Sequence, residues 1–487
     1  MTAESLLQQA YDPESFRRAG HQLIDRLADH LQHMLAAEGP VHHQIPPDTL
    51  YDAWTEAEAG PAQDPSQFFE QVLGQAIYLH HPHYVGHQIS PPLPTAALAG
   101  LLGDFLNNGM GVYEMGASGT ALERRVIALV ATAMGLGPQA DGFMTSGGTL
   151  GNLTALLAAR QQRSGHDVWT QGHQNGYQPA IMVSAQAHYC VKRAAQVMGW
   201  GEAGVIQVPV DENFRIRTDL LPSLLAAAQA RGLQVIAAVG SACTTATGSF
   251  DDLEAMADFC EAHGLWFHVD AAHGGPTAFS ETWRHLLQGI SRADTVVIDF
   301  HKMALTPALA TGVIFRDGSL SYCTFEQDAH YLWSRQQPEW YNLAKRTFEC
   351  TKYMMSLKAY TALQAGGGRV TGAFVDTMYQ LGQTFAEMIL ARSDMELAVK
   401  PMCNIVCFRW RPSDLSPDQV SPVNAAIRAD IIQSGAFYLV QTTLRGDTWL
   451  RVSLMNPFTR ASHLQVLLDL VAATGIRLTA QDTLTLV

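Results

Sequence analysis

Six short apolar segments in the middle of the chain have the composition of buried β-strands. They are rich in valine, isoleucine and alanine, and they carry few charges. These segments cover residues 180–185, 204–210, 234–240, 265–270, 295–300 and 311–316. Most of them lack the alternation of polar and apolar residues that marks a strand with one face in water, so we expect helices to cover both faces of the sheet.

Helical segments separate several of these predicted strands. Residues 220–232 and 253–264 have helical patterns, and each ends in glycine, a residue that often terminates a helix. The repeated order of strand, loop and helix predicts an α/β fold with a mainly parallel sheet.

The pattern changes on both sides of this central region. A helical pattern comes first, and after residue 360 a long helical pattern is followed by two strand-like segments, NIVCFRW and WLRVSLM. We therefore predict an N-terminal helical segment over residues 1–85, a large domain over residues 86–360 and a small C-terminal α+β domain over residues 361–487.

Composition and charge narrow the possible functions. The 487 residues are 47% hydrophobic and 16% charged, a balance that is typical of a globular protein with a large core. The net charge is −14, and no cluster of Lys and Arg is present to neutralise phosphates, so we do not expect nucleic acid as a partner. No apolar run is long enough to cross a membrane, and the N-terminal residues lack the pattern of a secretory signal.

The cysteines indicate a reducing compartment. Seven cysteines are scattered along the chain without a C-x-x-C pair, so we expect reduced thiols and a cytoplasmic protein. His80, His81, His83 and His87 lie close together in the sequence, but their spacing does not match that of a metal site. We therefore predict no metal.

Polar side chains follow four of the predicted strands, at the edge of the sheet where ligands bind in open α/β folds. Because the carboxyl ends of parallel strands meet at the same edge, we expect these side chains to converge on one site. They are His188, the pair Thr244 and Thr245, Asp270, and the pair His301 and Lys302.

A phosphate site is predicted upstream of this set. Ser146, Gly147, Gly148 and Thr149 stand immediately before a helical pattern. Small residues at the start of a helix let backbone amides approach a phosphate, and the helix dipole favours the negative charge. Each of these features alone also has a structural explanation. Together, the phosphate turn, the flat imidazole, the carboxylate and the lysine are what pyridoxal 5'-phosphate (PLP) requires of a protein.

Five segments carry a resemblance to a known family. They are MTSGGTLGNLTALLAAR, HYCVKRAA, SACTTATGSFDDL, HVDAAHGG and DFHK. Together they resemble the group II PLP-dependent amino-acid decarboxylases, whose members act on aromatic amino acids, glutamate, cysteine sulfinate or 2,4-diaminobutyrate. The resemblance covers most of the chain. It implies the aspartate-aminotransferase-like fold (fold type I) and a homodimer with active sites at the subunit interface.

The resemblance also implies roles for the residues at the strand ends. Lys302 would form the Schiff base with the cofactor aldehyde, and Asp270 would pair with the protonated pyridine nitrogen. Ala272 would lie against one face of the ring and His188 would stack on the other, while Thr245 would lie near its edge. The phosphate and its surroundings would be held by Gly147, Gly148, Thr149 and His301.

Two more parts of the site follow from the resemblance. A loop after the lysine strand would carry a tyrosine that protonates the substrate carbon; Tyr341 is the better match, Tyr331 is the alternative, and His188 could also supply this proton. His87, Gln88 and Ser90 would line the substrate pocket. Gln88 is similar to the residue in members that act on acidic substrates, but the identity of the substrate stays open.

The implied activity is the PLP-dependent decarboxylation of an L-amino acid to its amine and carbon dioxide. The alternative is another reaction on the same cofactor: decarboxylation coupled to oxidative deamination, which gives an aldehyde, or a different lyase reaction. A nicotinamide-dependent oxidoreductase is disfavoured because no G-x-G-x-x-G follows an early strand. The presence of Lys302, Asp270 and His188 together argues against a catalytically silent relative.

Overall fold

The computed structural model describes residues 2–59, 64–174, 176–325, 339–364 and 367–485. These residues form an α/β fold with two sheets. The helices are α1 (Ala3–Ala10), α2 (Pro13–Leu35), α3 (Pro47–Ala59), α4 (Pro65–Gly74), α5 (Pro94–Leu106), α6 (Tyr113–Ala133), α7 (Gly148–Arg163), α8 (Val168–Gln171), α9 (Tyr189–Val197), α10 (Leu221–Ala230), α11 (Leu253–His263), α12 (Met355–Gln364), α13 (Arg369–Leu390), α14 (Pro417–Ser434) and α15 (Ala461–Thr485).

The larger sheet has seven strands in the order β1-β7-β6-β5-β4-β2-β3, and the smaller sheet has four in the order β10-β11-β9-β8. In the larger sheet β3, β2, β4, β5 and β6 run parallel, whereas β7 is antiparallel to both β6 and β1. The strands are β1 (Asp141–Thr145), β2 (Pro179–Ser184), β3 (Val205–Val208), β4 (Gln234–Ser241), β5 (Trp266–Asp270), β6 (Thr295–Asp299), β7 (Thr311–Phe315), β8 (Met395–Leu397), β9 (Ile405–Trp410), β10 (Val440–Leu444) and β11 (Asp447–Ser453).

The central strands of the larger sheet lie in the core. Every residue of β2, β5 and β6 is buried, as expected for strands covered on both faces. Leu156 and Ala159 of α7 and Val191 of α9 belong to one apolar cluster with Ile181 of β2 and Val239 of β4. The mainly parallel α/β fold predicted from the sequence is therefore confirmed.

Strand β1 was not predicted, because its sequence DGFMT begins with two residues that are rare in strands. Gly142 is required by the packing rather than by strand propensity. A Cβ at this position would lie 2.0 Å from the carbonyl oxygen of Val313 on the neighbouring strand β7, so only glycine allows the two backbones to approach.

Two compact units can be distinguished in the chain. One consists of Met1–His87, Glu387–Glu396 and Phe408–Val487, and the other of Gln88–Ala386 and Leu397–Cys407. The second unit contains the seven-stranded sheet and is called the sheet unit below. In the part of the chain that the structure describes, no helix is both long and apolar enough to cross a membrane. The domain boundaries that the sequence suggests stay a prediction.

Candidate active site

A cavity in the sheet unit lies at the carboxyl ends of the parallel strands β4, β5 and β6. Thr245 follows β4, Asp270 ends β5, and Lys302 comes three residues after the end of β6. His188, which follows β2, lines the same cavity, so the structure brings these four predicted residues together. The full lining is Gln88, Gly148, Thr149, Asn152, His188, Cys190, Cys243, Thr245, Asp270, Ala272, His273, Asp299 and Lys302.

Lys302 is paired with a carboxylate that the sequence analysis did not assign to the site. Its Nζ lies 3.0 Å from Oδ2 of Asp299, and the hydroxyl of Thr311 donates to Oδ1 of the same carboxylate at 2.5 Å. Burial lowers the pKa of Lys302, but Asp299 and Asp270 outweigh this effect and raise that pKa above its usual value. The amine therefore carries a proton before any ligand enters.

Asp270 is held at the end of β5 with its carboxylate facing the cavity. Its Oδ1 accepts a hydrogen bond from the backbone N–H of Ala272 at 3.1 Å, which fixes the orientation of the side chain. Burial raises the pKa of Asp270, and the positive charge of Lys302 opposes that rise. A cation beside this carboxylate would keep it ionised.

His188 is the N-cap residue of α9, and this position fixes its ring. Nδ1 accepts a hydrogen bond from the backbone N–H of Cys190 at 3.3 Å, so the ring proton is assigned to Nε2. Burial lowers the pKa of His188, which keeps the ring neutral near neutral pH. His188 thus presents a flat, oriented and uncharged ring to the cavity.

The phosphate turn connects β1 to α7. Gly147 has a φ of +148°, a conformation that favours glycine, and Gly148 is the first residue of the helix. A Cβ at Gly148 would lie 3.1 Å from the carboxylate oxygens of Asp299, so glycine keeps this helix start open towards the cavity. The amides at the start of α7 and the helix dipole provide a site for an anion.

A directed chain of hydrogen bonds links the phosphate turn to the core of the sheet. Nε1 of Trp266 donates to Thr295 Oγ1, which lies 3.0 Å from Nδ1 of His268. Nε2 of His268 contacts Asn152 Oδ1 at 2.8 Å, and Asn152 Nδ2 donates to the carbonyl oxygen of Gly148 at 2.9 Å. The acceptor Oδ1 of Asn152 requires a proton on Nε2 of His268, and burial lowers the pKa of His268 to about 4, so the ring is uncharged near neutral pH.

The remaining predicted residues occupy different surroundings. Gln88, Thr149 and Ala272 line the cavity, whereas Ser90 is buried and is not among the lining residues. His87 is exposed, belongs to the other compact unit, and its ring centroid lies 5.8 Å from that of Tyr438.

His301 is not among the lining residues; its Nδ1 contacts the carbonyl oxygen of Ala310 at 3.0 Å, and its Nε2 lies 3.8 Å from Oδ2 of Asp299. Tyr341 is partly exposed, and its ring packs edge to face against Tyr113 with the centroids 5.5 Å apart. Tyr331 lies outside the described residues.

Several lining residues were missed by the sequence analysis. Asp299, Asn152 and His273 line the cavity but carry no motif of their own. The short segment DFHK contains Asp299 three positions before the lysine, and this spacing is the one signal that could have identified it.

The described residues fit PLP. The glycine turn at the start of α7 can hold a phosphate, and the buried carboxylate of Asp270 can face a protonated ring nitrogen. Lys302 provides an amine in the same cavity, and His188 provides a flat surface for a ring. The fit rests on all four groups lining or bordering one cavity.

Comparison with known proteins agrees with this fit. Residues 68–411 match the family model described as the pyridoxal-dependent decarboxylase conserved domain. The chain is 27% identical to an aromatic-L-amino-acid decarboxylase from Bacillus atrophaeus, covering 94% of this chain and 95% of that protein. It is 30% identical to cysteine sulfinic acid decarboxylase from Mus musculus, covering 82% of this chain and 83% of the relative.

The fold is shared with solved structures as well. The crystal structure of mouse CSAD superposes with a TM-score of 0.89 at 26% identity, and the match covers 95% of this chain and 99% of that one. The family, the fold, the PLP cofactor and the decarboxylation that the sequence analysis expected are thereby confirmed. The chain belongs to the pyridoxal-dependent decarboxylase family, and it is a PLP-dependent enzyme that decarboxylates an amino acid to an amine.

Proposed function

We propose that the cavity around Lys302 decarboxylates an L-amino acid, with Lys302, Asp270 and His188 as its catalytic residues. The observation that carries the assignment is that these three side chains line one cavity, with the start of α7 on its border. Lys302 would hold the cofactor aldehyde, Asp270 the ring nitrogen, and the turn at Gly147 and Gly148 the phosphate. When bound, PLP supplies an electron sink for the electron pair that is released as carbon dioxide leaves.

The residues of the chain orient and protonate the reactants. His188 limits the tilt of a ring placed against it, because its own orientation is fixed by Cys190. Decarboxylation needs the bond from Cα to the carboxylate to stand perpendicular to that ring, so rigid placement selects this bond over others. Asp270 would keep its negative charge towards the ring nitrogen, and Lys302 would provide the amine that holds the cofactor aldehyde.

The proton that returns to Cα needs a donor near the cavity. We assign this role to Tyr341, with His188 as the second candidate. The family resemblance supports Tyr341, whose ring contacts those of Trp340 and Tyr113 and which is not among the residues that line the cavity. His188 lines the cavity, and it would act as the donor in its doubly protonated form, because a neutral ring that gave up its one proton would become an imidazolate.

The test of the function is a panel of L-amino acids assayed for carbon dioxide, amine and aldehyde together. The panel includes aromatic amino acids, aspartate, glutamate, cysteine sulfinate and 2,4-diaminobutyrate. We expect equal amounts of carbon dioxide and amine from at least one substrate, and no turnover by Lys302→Ala.

Lys192→Ala is the matched control, because this partly exposed lysine pairs with Glu202 and neither residue lines the cavity. It should retain full activity. Aldehyde as the main product of the unmodified protein would instead assign the oxidative alternative, and turnover by Lys302→Ala at the normal rate would contradict the site.

Substrate selection is assigned to Gln88, with His87 and Ser90 as neighbouring contributors. Gln88 lines the cavity and offers both a donor and an acceptor to a substrate side chain. Substitution of Gln88 by Ala should therefore change the order of preference within the amino-acid panel.

The assembly and location of the protein are also part of the proposal. We assign a homodimer with its active sites at the subunit interface, as the family resemblance implies, and a cytoplasmic location. None of the seven cysteines forms a disulfide, which fits a reducing compartment.

A further inference from the structure

Two thiols and an imidazole meet inside the sheet unit. Cys243, His273 and Cys403 are all buried, and their potential ligand atoms all lie within 4.8 Å of one another. Among the described residues this is the one group of three or more such side chains that is close enough to share an ion. None of the three has a role in the catalytic assignment above.

The fold brings these residues together from three separate segments. Cys243 follows β4 and His273 follows β5, and these strands are parallel neighbours in which Ser241 pairs with Asp270. Their following loops therefore begin side by side. Cys403 is 160 positions away from Cys243 and arrives from the segment that precedes β9.

The spacing of the two sulfur atoms matches that of a tetrahedral metal site. Sγ of Cys243 lies 3.9 Å from Sγ of Cys403. With zinc–sulfur bonds of about 2.3 Å, a tetrahedral site places two thiolates about 3.8 Å apart. The backbone makes room for the second sulfur, since a Cβ on Gly248 would lie 2.3 Å from Sγ of Cys403.

The imidazole is oriented as metal-binding histidines are. Nε2 of His273 contacts Oδ1 of Asn404 at 2.9 Å, and Asn404 Nδ2 lies 3.4 Å from Sδ of Met303. The amide oxygen can only accept, so Nε2 carries the ring proton and Nδ1 carries the lone pair. A hydrogen bond from the ring nitrogen that does not bind the metal fixes the tautomer of a ligating histidine and raises its basicity.

We propose that Cys243, His273 and Cys403 bind one zinc ion. Two soft thiolates and one imidazole are ligands that zinc prefers, and three protein ligands leave a fourth position for another donor. Binding releases the two thiol protons, so the two thiolates balance the charge of the ion and the buried site stays neutral. The ion joins the loops after β4 and β5 to the segment before β9.

This ion would support the wall of the active site without taking part in decarboxylation. Cys243 and His273 line the same cavity as Lys302, and Cys403 is not among its lining residues. Binding at this site does not depend on which amino acid the enzyme uses. A failure to bind zinc would therefore leave the assigned activity untouched.

Zinc content of the PLP-loaded enzyme is the first measurement. The protein is incubated with equimolar zinc chloride, dialysed against metal-free buffer and analysed by plasma mass spectrometry. We expect about one zinc per chain in the unmodified protein. Cobalt(II) in place of zinc should give the intense visible bands of a tetrahedral site with thiolate ligands.

The comparison of variants assigns the ion to these residues. Cys403→Ser should lose the zinc and the cobalt bands, while Cys260→Ser should keep both, because Cys260 is a buried thiol of α11 outside the group. Retention of zinc by Cys403→Ser would overturn the proposal. So would an unmodified protein that retains no zinc, a result that holds even where a variant does not fold.

Discussion

At the scale of single residues, the charge of Lys302 is set by its neighbours. Burial lowers the pKa of this amine. The carboxylates of Asp299, whose Oδ2 lies 3.0 Å from Nζ, and Asp270 outweigh that effect and raise the pKa. Only a neutral amine attacks an aldehyde, so these carboxylates oppose capture of the cofactor at low pH. We expect Asp299→Asn to lower the pKa of Lys302 and to shift cofactor capture towards lower pH.

This shift can be measured with cofactor-free protein and pyridoxal, whose absorbance changes when it joins an amine. Asp299→Asn also removes a charge that would repel a phosphate. Because pyridoxal has no phosphate, this second effect does not change the result. Asp219→Asn removes an exposed carboxylate and should leave the profile unchanged. If the profile of Asp299→Asn overlays that of the unmodified protein, Asp299 does not control the charge of the lysine.

Asp270 is expected to matter more for turnover than for retention of the cofactor. Asp270→Asn keeps the size of the side chain but removes the charge that would face the ring nitrogen. We expect kcat to fall by roughly 10²–10⁴-fold or more, while Lys302 and the phosphate turn still hold the cofactor. Kinetics and the absorbance of the bound cofactor test both parts, and near-normal turnover would place the ring nitrogen elsewhere.

The hydroxyl of Tyr341 is expected to decide whether the product is an amine or an aldehyde. Tyr341→Phe removes one hydroxyl and keeps the ring that packs against Tyr113. If Tyr341 protonates Cα, we expect most amine formation to be lost, by roughly 10²-fold or more, with aldehyde and peroxide in place of amine where oxygen gains access. Product analysis of both proteins decides this, and equal amine yields would leave His188 as the proton donor.

The residues that sequence reasoning identified are those that follow strands. Lys302, Asp270 and His188 could be predicted because parallel strands bring their carboxyl ends to one edge of the sheet. Asn152 and Cys403 could not, because each acts through a partner more than a hundred positions away, which no local pattern records. Contacts of this kind become visible only when the chain is folded.

At the scale of elements, the hydrogen-bonded chain from Trp266 to Gly148 joins β5 and β6 to the start of α7. It crosses the sheet–helix interface through His268, a fully buried side chain. The apolar residues of segment 265–270 predicted strand β5. The sequence alone does not explain why a histidine lies in the middle of this buried strand. The structure supplies that reason, because the histidine ring links the hydroxyl of Thr295 to Oδ1 of Asn152 inside the core.

This buried histidine should make stability depend on pH. Burial lowers the pKa of His268 from 6.5 to about 4. The unfolded chain binds the proton below pH 6.5 and the folded chain only below about pH 4, so the free energy of unfolding should fall as the pH drops through this window, by up to about 3 kcal/mol. Above pH 6.5 this contribution is fully present.

His268→Gln tests this directly through thermal unfolding midpoints at about pH 7.5 and about pH 5. We expect the variant to be less stable by about 1–3 kcal/mol at the higher pH, because part of the chain of hydrogen bonds is lost. Its midpoint should then change less between the two pH values than that of the unmodified protein. His263→Gln, at an exposed position, is the control, and equal pH dependence in all three proteins would contradict the role of His268.

At the scale of the whole molecule, the fold is retained at low sequence identity. The chain matches the crystal structure of mouse CSAD over 95% of its length although only 26% of the residues are identical. The parts that define the cofactor site lie in the sheet unit, where glycine turns and strand ends restrict the choice of residue. The predicted boundaries at residues 85 and 360 rest on the local pattern of helices and strands, which does not record which segments pack together.

The surface of the sheet unit offers a candidate interface for the proposed homodimer. Leu98, Leu101, Leu102 and Phe105 of α5 recur at helical spacing, and between 48% and 66% of each residue is exposed. An apolar stripe of this kind is costly in water and is typical of a surface that another protein covers. A second copy of the chain is the partner that the assigned homodimer supplies.

We therefore expect light scattering to give twice the 53.1 kDa mass of the chain, and Leu101→Asp to give a single chain mass. A buried aspartate would lack a partner in the interface, and its desolvation would weaken association by several kcal/mol. Leu390→Asp is the matched control, because Leu390 is 68% exposed at the end of α13 and is not one of the residues of the α5 stripe. If the active sites lie at the interface, Leu101→Asp should also lose turnover at dilutions where it is monomeric. An unmodified protein that is monomeric and fully active would contradict the dimer, and a dimeric Leu101→Asp would move the interface away from α5.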